Sequence, residues 1–282
     1  FYRVSMKLKK LLSLDFMKDL ESLLETEFEK QLYVASLRNY ASHGNPLRFH
    51  NFAFSMRELV LHVIKRKAPP KQVKKTTWYE VESTSHPVTR RQQLKYCAQR
   101  NISDEYLKDD LEILNESIEE FLSEFHFFNK YTHITEKYFT ACPKQFFQDA
   151  KYVVGLAVSS LSQLEDIERI VIDAVESKVH DAVIDTAVSA IPDSLSILAN
   201  HVYVDYTEVE EIECLGIDDQ YIRMRAKGIV YVTQEYGPKN DICTMDESYP
   251  FTLDMKSHVE NPEDFTIEAE ELSVDTSDWY GE

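Results

Sequence analysis

The sequence is poor in glycine, with 6 among 282 residues, which leaves little room for a glycine-rich phosphate-binding loop. It contains no His-Glu-x-x-His, no Cys-x-x-Cys and no Gly-x-Ser-x-Gly, so the usual signatures of zinc proteases, zinc fingers and hydrolases are excluded. The four cysteines, Cys97, Cys142, Cys214 and Cys243, are not closely paired. We therefore expect a reducing compartment, with neither a disulfide framework nor a zinc knuckle.

Long hydrophobic runs are also missing. No apolar stretch approaches the roughly 20 residues of a membrane span, and "SMKLKKLLSLDF" near the start lacks the apolar core and small-residue cleavage site of a signal peptide. Hydrophobic residues make up 43% of the chain and charged residues 28%, as is typical of a globular protein. We therefore expect a soluble, cytoplasmic protein that does not bind a membrane.

The charge is distributed unevenly along the chain. The net charge is -18, but residues 1–100 carry 19 Lys and Arg against 9 Asp and Glu, whereas the remainder carries 12 against 40. A basic first third provides a surface on which RNA or DNA could dock, while the acidic remainder would repel it. The alternative is that the two parts simply attract one another, or that the acidic residues serve solubility.

Helical periodicity dominates the first two-thirds of the sequence. Leu and Phe recur every three or four residues over 5–35, and a second helical pattern runs over 51–67 until Pro69 stops it. The segment "WYEVE" (78–82) predicts a short strand, and "SDE" (103–105) predicts the start of a helix. After Pro143, a stretch of nearly fifty residues without proline predicts one very long helix, or two that meet near Gly155 or Ser159.

The pattern changes near His201. Apolar and polar residues alternate in "HVYVDYTEVEEIECLGIDDQYIRMRAKGIVYVTQEYG", which predicts antiparallel strands with turns at 216–218 and 237–238. We therefore predict an α+β protein, with an α-helical domain over 1–195 and a small acidic antiparallel β domain over 200–282. The last ten residues, "SVDTSDWYGE", are expected to form a loose acidic tail.

Arginine and histidine recur at short spacing in the helical part. Arg57 stands five residues before His62, Arg38 stands five before His43, and "FNKYTH" holds Asn129 and His133. A histidine can take the proton of a ribose 2′-hydroxyl or protonate the leaving 5′-oxygen, and a guanidinium can hold the charge on the phosphorus centre. The pairing therefore indicates RNA cleavage without a metal ion.

Helix geometry complicates this interpretation. Residues five apart on a regular helix point about 140° away from each other, whereas Glu58 and His62, or Asn129 and His133, are four apart and share a face. Each candidate also has a purely structural interpretation. In that interpretation His62 is a packed helix histidine, and Arg57 and Glu58 form an ion pair between helices. The others are then solvated or helix-end residues: Arg38, His43, Arg90, Arg91 and His133.

Several segments together resemble a known family. They are "NPLRFHNFAFSMRELVLHVIKRKAPP", "WYEVE", "TRRQQLKYCAQRNISDEYLKDDL", "FFNKYTHI" and, near the end, "GIVYVTQEYGPKNDICTMDESYPFTLD". In order and spacing these resemble the predicted pPIWI-associating nucleases, which are found beside prokaryotic PIWI-like modules. The spacing of Arg57 and His62 also resembles the signature of the helical HEPN ribonucleases. The sequence departs from the family at "AQRNISDEY", where a glycine pair would precede the acidic turn.

The resemblance implies a role in defence against phages or plasmids. It places family positions at Pro46, Leu47, Arg48, Arg57, Glu58, Leu59, His62, Thr89, Arg90, Arg91, Thr132 and His133. From these we predict a HEPN-like endoribonuclease that needs no metal or cofactor, with RNA (tRNA or mRNA) as the substrate. HEPN-type sites commonly form between two protomers, so a homodimer or higher oligomer is expected, and other defence-system proteins are possible partners.

Roles follow for individual residues. His62 would be the acid or base, Arg57 would steady the phosphate charge, and Glu58 would orient the histidine. Asn129 and His133 would complete the catalytic pocket. The residues expected to guide the nucleic acid are Arg38, His43, Arg48, Arg90, Arg91 and Lys130. Two alternatives remain: an adaptor that binds nucleic acid or a partner without catalysis, and a metal-dependent DNA nuclease. The acidic β domain would sense a signal or bind a partner.

Overall fold

The computed structural model describes residues 8–139, 142–195, 201–237, 243–267 and 272–275. The chain divides into two compact units. We call Phe1–Ala98 with Asp109–Ile170 the helical unit, and Gln99–Lys108 with Val171–Glu282 the sheet unit. A helical region followed by a small antiparallel sheet confirms the predicted α+β class.

The helices lie in the order predicted, although several boundaries differ. They are α1 (Asp15–Ser22), α2 (Glu27–Ala41), α3 (Arg48–Lys67), α4 (Pro70–Val73), α5 (Arg90–Gln99), α6 (Leu111–His126), α7 (Phe128–Thr132) and α8 (Pro143–Leu195), with a 3-10 turn at Glu136–Tyr138. None of the helices described here combines the length and the apolar character that a membrane crossing requires.

The expected single helix over 5–35 is interrupted, because a capping box starts a new helix at α2. The Thr26 hydroxyl accepts a hydrogen bond from the Glu29 N–H (3.2 Å), and the Glu29 carboxylate accepts one from the Thr26 N–H (3.0 Å). This reciprocal pair satisfies backbone donors that an uninterrupted helix would have paired internally. Glu29 also accepts a hydrogen bond from Arg66 Nε (2.7 Å), which joins the start of α2 to the end of α3.

Two local predictions are wrong. Residues 78–82 do not form a strand, since side chains rather than a neighbouring strand bind this backbone: the Gln92 amide donates to the Glu80 carbonyl at 2.6 Å. Ser103 does not begin a helix, because 104–110 form turns and α6 begins at Leu111. The prediction of a very long helix after Pro143 is confirmed, since α8 is one continuous helix without a break at Gly155.

The sheet is an antiparallel meander, as the alternating pattern predicted. Its strands are β1 (His201–Ile217), β2 (Tyr221–Tyr236), β3 (Cys243–His258), β4 (Asn261–Thr266) and β5 (Leu272–Val274). The order is β1-β2-β3-β4, and β5 pairs with β3. Ser273 and Val274 are therefore part of the sheet rather than of a loose tail, while 276–282 lie outside the described residues.

The first turn connects β1 and β2 at 218–220 rather than at the predicted 216–218, because Gly216 and Ile217 still pair with β2. The Asp218 carboxylate accepts hydrogen bonds from the N–H groups of Gln220 and Tyr221 (2.8 Å each). At the second, Gly237 has a φ of 98°, a conformation that favours glycine, and 238–242 lie outside the described residues.

The core of the sheet unit lies between one face of the sheet and the C-terminal part of α8. Alternate β2 residues are buried: Ile222, Met224, Ala226, Val230 and Val232. On α8 the buried residues recur every four positions: Val171, Val175, Val179 and Val183. Glu176 of α8 accepts a hydrogen bond from the Cys214 N–H of β1 at 2.8 Å, which ties the helix to the sheet.

Candidate functional site

Charged residues of α3 and α5 meet at Phe125, near the C-terminal end of α6. Helix α6 buries Leu114, Ile118, Phe121 and Phe125, a spacing of three and four that keeps one apolar face inward. Phe125 is the last of these, and two guanidinium groups contact its ring. The Cζ of Arg90 lies 4.6 Å from the ring centroid, and the Cζ of Arg57 lies 5.9 Å from it. Both distances fall within the range of cation–π attraction.

Arg57 and Arg90 form what we call the arginine pair. The pKa of Arg90 is lowered, mainly by its burial and then by the positive charge of Arg57, while the charge of Glu58 acts in the opposite direction. Arg57 Nη1 donates a hydrogen bond to Glu58 Oε1 at 2.9 Å, so one carboxylate offsets two cations. The cluster therefore carries a net positive charge.

One donor of the arginine pair lacks an acceptor within the part of the chain that the structure describes. The Nε of Arg57 is buried, and no acceptor for it exists among the described residues. A buried N–H without an acceptor costs free energy, and more so on a charged group. An anion that accepted a hydrogen bond from this N–H would remove that cost, and planar guanidinium groups are well matched to phosphate oxygens.

The sequence analysis did not select one histidine of α6. His126 is the last residue of α6, directly after Phe125, and its Nδ1 lies 3.1 Å from the Nδ2 of Asn129. When the amide donates to Nδ1, the proton of the neutral ring is on Nε2. The signal that could have revealed this pair is the three-residue spacing of His126 and Asn129, which places both on one side of a helical turn.

His133 lies at the end of α7 and is exposed. Its N–H donates to the Asn129 carbonyl at 3.3 Å. The adjoining backbone is held by a buried histidine, His50 of α3, whose Nδ1 lies 3.3 Å from the Tyr131 carbonyl and whose Nε2 accepts a hydrogen bond from the Thr135 N–H at 3.2 Å. His50 thus binds the chain on both sides of His133 and fixes its backbone.

His62 points toward another helix. Its ring centroid lies 4.8 Å from that of Phe28, an exposed residue of α2. Arg57, on the same helix, contacts Phe125 of α6. The two side chains point in different directions because residues five apart on a helix are separated by about 140° around its axis. Glu58, which was expected to orient His62, is bound by Arg57 instead. The structure therefore groups Arg57 and Glu58 with Arg90, and it places His62 against α2.

An arginine–histidine pair joins the start of α3 to the end of α2. Arg48 Nη1 lies 2.9 Å from His43 Nδ1 and donates to the Tyr40 carbonyl at 3.5 Å, while the Arg48 Cζ lies 4.2 Å from the centroid of the Phe146 ring. The spacing rule had paired His43 with Arg38, which is exposed on α2.

The other predicted nucleic-acid contacts are dispersed. Arg91 forms an ion pair with Glu119 of α6, and Lys130 is exposed on α7 with its Nζ 5.7 Å from the Tyr131 ring centroid. Within the ranges that the structure describes, no three His, Cys, Asp or Glu side chains are grouped so that they could hold a metal ion.

Comparison with known proteins assigns the chain to a family. Two models, both described as predicted pPIWI-associating nuclease, match residues 21–157 and residues 164–280. The first match covers the arginine pair, His126, Asn129 and His133, and the second covers the sheet. No curated protein and no solved structure shows significant similarity to the chain. Taken together the two matches span nearly the whole sequence, and the chain belongs to the predicted pPIWI-associating nucleases.

Proposed function

We propose that this protein is a metal-independent endoribonuclease of a prokaryotic anti-phage or anti-plasmid defence system, and that it works at the end of α6. The observation that carries the proposal is the arginine pair, in which two guanidinium groups share the Phe125 ring and Arg57 Nε lacks an acceptor among the described residues. A phosphodiester brings acceptors and negative charge to such a position.

The arginine pair would stabilise the reaction by electrostatics. As the 2′-oxygen attacks phosphorus, negative charge builds on the non-bridging oxygens, and donors that already point at them stabilise that state. Arg57 is held by Glu58 and Arg90 by the Phe125 ring, so neither guanidinium has to be ordered when RNA arrives.

Proton transfer would be the work of histidines. One group must remove the 2′-hydroxyl proton and another must protonate the 5′-oxygen as the phosphorus–oxygen bond breaks. We assign these roles to His126 and His133, with Asn129 holding His126 by its amide and His133 by its carbonyl. His62, selected by its spacing from Arg57, would take part only if a second protomer brought it to the arginine pair, as a homodimer of the HEPN type would.

The remaining predicted residues would guide the RNA, and the sheet unit would regulate its cleavage. Arg91 and Lys130 lie on α5 and α7 and would contact the backbone beyond the cleaved bond, with Arg38, Arg48 and His43 farther along its path. The substrate would be tRNA or mRNA in the cytoplasm. The acidic sheet unit would sense a signal or bind another defence protein, and the family description makes a pPIWI protein the first candidate.

The test is cleavage of tRNA and total RNA by purified protein in EDTA. We expect Arg57→Ala and Arg90→Ala to lose about 10²-fold or more in rate, as removal of one oxyanion donor does elsewhere. His126→Ala and His133→Ala should lose the acidic or the basic limb of the pH–rate profile. Lys18→Ala removes an exposed α1 cation that pairs only with Asp15 among the described residues, and it serves as the matched control.

Other outcomes would assign other functions. Full activity of Arg57→Ala would disprove the site, and loss of cleavage in His62→Ala alone would move the acid or base to α3. Salt-sensitive RNA binding without turnover would favour an adaptor. Plasmid nicking that needs magnesium would favour a DNA nuclease.

A further inference from the structure

Positive charge is concentrated in one segment of the otherwise acidic part of the chain. After residue 100 the sequence holds 12 Lys and Arg against 40 Asp and Glu, and residues 127–164 hold 4 of those cations but only 2 of those carboxylates. The four cations are lysines of α7, of α8 and of the connection between them: Lys130, Lys137, Lys144 and Lys151. By its charge this segment attracts a polyanion, unlike the remainder of the chain after residue 100.

One of the two carboxylates in this segment is withdrawn from the surface. Asp149 of α8 is buried, and it accepts hydrogen bonds from Lys137 Nζ (3.0 Å) and from the Gln145 amide (2.9 Å). Although burial raises the pKa of Asp149, these bonds and one from Tyr138 lower it to a net downward shift. The Lys137 side chain is still 55% exposed, and an ammonium group has three donors, so Lys137 can also reach a phosphate oxygen.

An exposed aromatic ring lies beside the first two of these lysines. Tyr152 of α8 is 46% exposed, and its ring centroid lies 5.5 Å from that of Tyr131 in α7. Tyr131 is buried, and its centroid lies 6.2 Å from that of Phe49, which is fully buried in α3. Lys130 Nζ lies 5.7 Å from the Tyr131 centroid. Burial raises the pKa of Tyr131 and the charge of Lys137 lowers it in part, so Lys137 also lies near this ring. Tyr152 therefore rests on a packed ring between two ammonium groups.

The space next to Tyr152 on α8 is open. Gly155 follows three residues later on the same side of the helix, it is exposed, and a Cβ built on it would meet no atom within 4 Å. A helical side chain covers the turn that precedes its own Cα, so a larger residue at 155 would lie over the turn that carries Tyr152. The glycine therefore leaves room for a flat group to approach the ring.

We propose that the Tyr152 platform, formed by Tyr152, Lys130 and Lys137, binds single-stranded nucleic acid, with an unpaired base stacked on the Tyr152 ring and adjacent phosphates at the two ammonium groups. An aromatic ring with cations beside it is the usual composition of a single-strand site, and such stacking tolerates any base. A base inside a duplex is already stacked on both faces and cannot reach the ring. The inference rests on the proposed function for the identity of the strand: the endoribonuclease would take unpaired RNA, bound at the ends of the segment that carries His133.

Fluorescence anisotropy with a labelled dodecanucleotide tests the proposal on the full chain. The RNA strand carries 2′-O-methyl groups, so its own 2′-oxygens cannot attack phosphorus and binding is measured without cleavage. We expect the strand to bind at least tenfold more tightly than its duplex. Tyr152→Leu should weaken that binding about tenfold, whereas Tyr152→Phe should keep it, because stacking needs the ring and not the hydroxyl. Gly155→Leu should also weaken it, although Tyr152 is intact.

The matched control removes a similarly exposed tyrosine from the sheet. Tyr206→Leu should bind the strand as the parent does, because Tyr206 lies outside the helical unit. Equal affinity for strand and duplex, or an unchanged affinity in Tyr152→Leu, would overturn the proposal, and circular dichroism verifies the folding of each variant. A change of oligomeric state in Tyr152→Leu without a change of affinity would also overturn it, because the ring would then belong to a contact between copies of the chain.

Cleavage assays separate the platform from the proposed nuclease. If the parent cleaves RNA and Tyr152→Leu raises KM without lowering kcat, both proposals hold. Binding that depends on Tyr152 without any cleavage would support the platform and contradict the nuclease. Cleavage by the parent together with parent-like binding by Tyr152→Leu would do the reverse. A DNA strand of the same sequence that binds through Tyr152 and is cut would support the platform and identify DNA as its strand.

Discussion

The ring of Phe125 determines the geometry of the candidate site at the scale of single residues. It is buried, it comes from α6, and it holds guanidinium groups from α3 and α5. Cations stacked on one ring repel each other, and the pKa of Arg90 is lowered first by its burial and then by the positive charge of Arg57. Glu58 offsets this repulsion in two ways: it accepts a hydrogen bond from Arg57, and its charge attracts Arg90.

Removal of that carboxylate should separate binding from turnover. We expect Glu58→Gln to bind single-stranded RNA about 2- to 5-fold more tightly, since a half-exposed ion pair contributes about 0.5–1 kcal/mol and its loss frees the charge of Arg57. Cleavage should slow, because Arg57 loses the acceptor that orients it. Fluorescence anisotropy at fixed salt measures the affinity. Weaker binding by Glu58→Gln would mean that Glu58 itself orders the RNA-binding surface.

Glu29 provides a pH-dependent contribution to stability. Its side chain is fully buried, and although burial raises the pKa of Glu29, hydrogen bonds from the Thr26 and Glu25 N–H groups and from Arg66 lower it to a net downward shift. A carboxylate with a lowered folded-state pKa contributes stability that is present above its unfolded pKa, near 4.3, and is lost as the pH falls through the folded value.

Glu29→Gln should therefore destabilise the protein by about 1–3 kcal/mol at pH 7, the usual effect of disrupting a buried charged hydrogen bond. The difference from the parent should shrink as the pH falls below about 4.3. Urea denaturation at a series of pH values measures it. Lys18→Ala is the control, and a difference independent of pH would contradict the assignment.

Sequence spacing brought residues of the cluster together only where they are close along the chain. Spacing brought Arg57 and Glu58 forward, and they do form one cluster. Arg90 was selected by the family resemblance as a nucleic-acid contact, but spacing could not group it with Arg57. The two meet at Phe125, which the sequence pattern marks only as a core residue. Spacing also paired Arg57 with His62, although the helix turns them toward different neighbours.

At the scale of elements, α8 contains a glycine that its helix does not need. Gly155 is exposed, and a Cβ built on it would meet no atom within 4 Å. We expect Gly155→Ala to stabilise the protein by about 0.5–1 kcal/mol, because alanine loses less backbone entropy than glycine when the helix forms. Thermal unfolding measures the gain. A decrease in Tm would indicate that another molecule occupies the space beside Gly155.

The opposite result is expected in the sheet. A Cβ on Gly228 of β2 would clash with the backbone carbonyl of Glu208 on β1, next to an irregularity in the strand pairing at Val209. Backbone cannot move aside as a flexible side chain can, so Gly228→Ala should destabilise the protein by about 1–3 kcal/mol or more. The same unfolding assay applies, and a neutral result would show that β1 shifts at no cost.

Elements were predictable where one pattern persists over many residues. The long helical period of α8 and the alternation of β2 each produced the expected element. The short apolar run at 78–82 did not, since side-chain hydrogen bonds such as that from Gln92 replace the strand partner. Hydrophobic periodicity predicted neither the pairing of β5 with β3 nor the capping box at Thr26.

At the scale of the whole molecule, the division of the chain does not coincide with the end of a helix. The sequence predicted a boundary between 195 and 200, after the last helical residue. The compact units instead divide α8 after Ile170, so its C-terminal part belongs to the same unit as the sheet.

This division predicts the behaviour of truncated chains. A fragment ending at residue 195 would retain Val171, Val175, Val179 and Val183 without the strands of their own unit. We expect it to aggregate or to bind a dye specific for exposed apolar surface, whereas the full chain should not. Size-exclusion chromatography of both checks this expectation. A monodisperse, dye-negative fragment would show that the helix can cover its own valines.

The same row of valines has a consequence for biosynthesis. A ribosome completes α8 before any strand of the sheet exists, and translation of the remaining residues takes on the order of 5–20 s. Throughout that interval the valines of α8 are exposed on the nascent chain, because the strands of the sheet have not yet been synthesised. The rate of synthesis of residues 196–282 is therefore a point at which the yield of folded protein would be set.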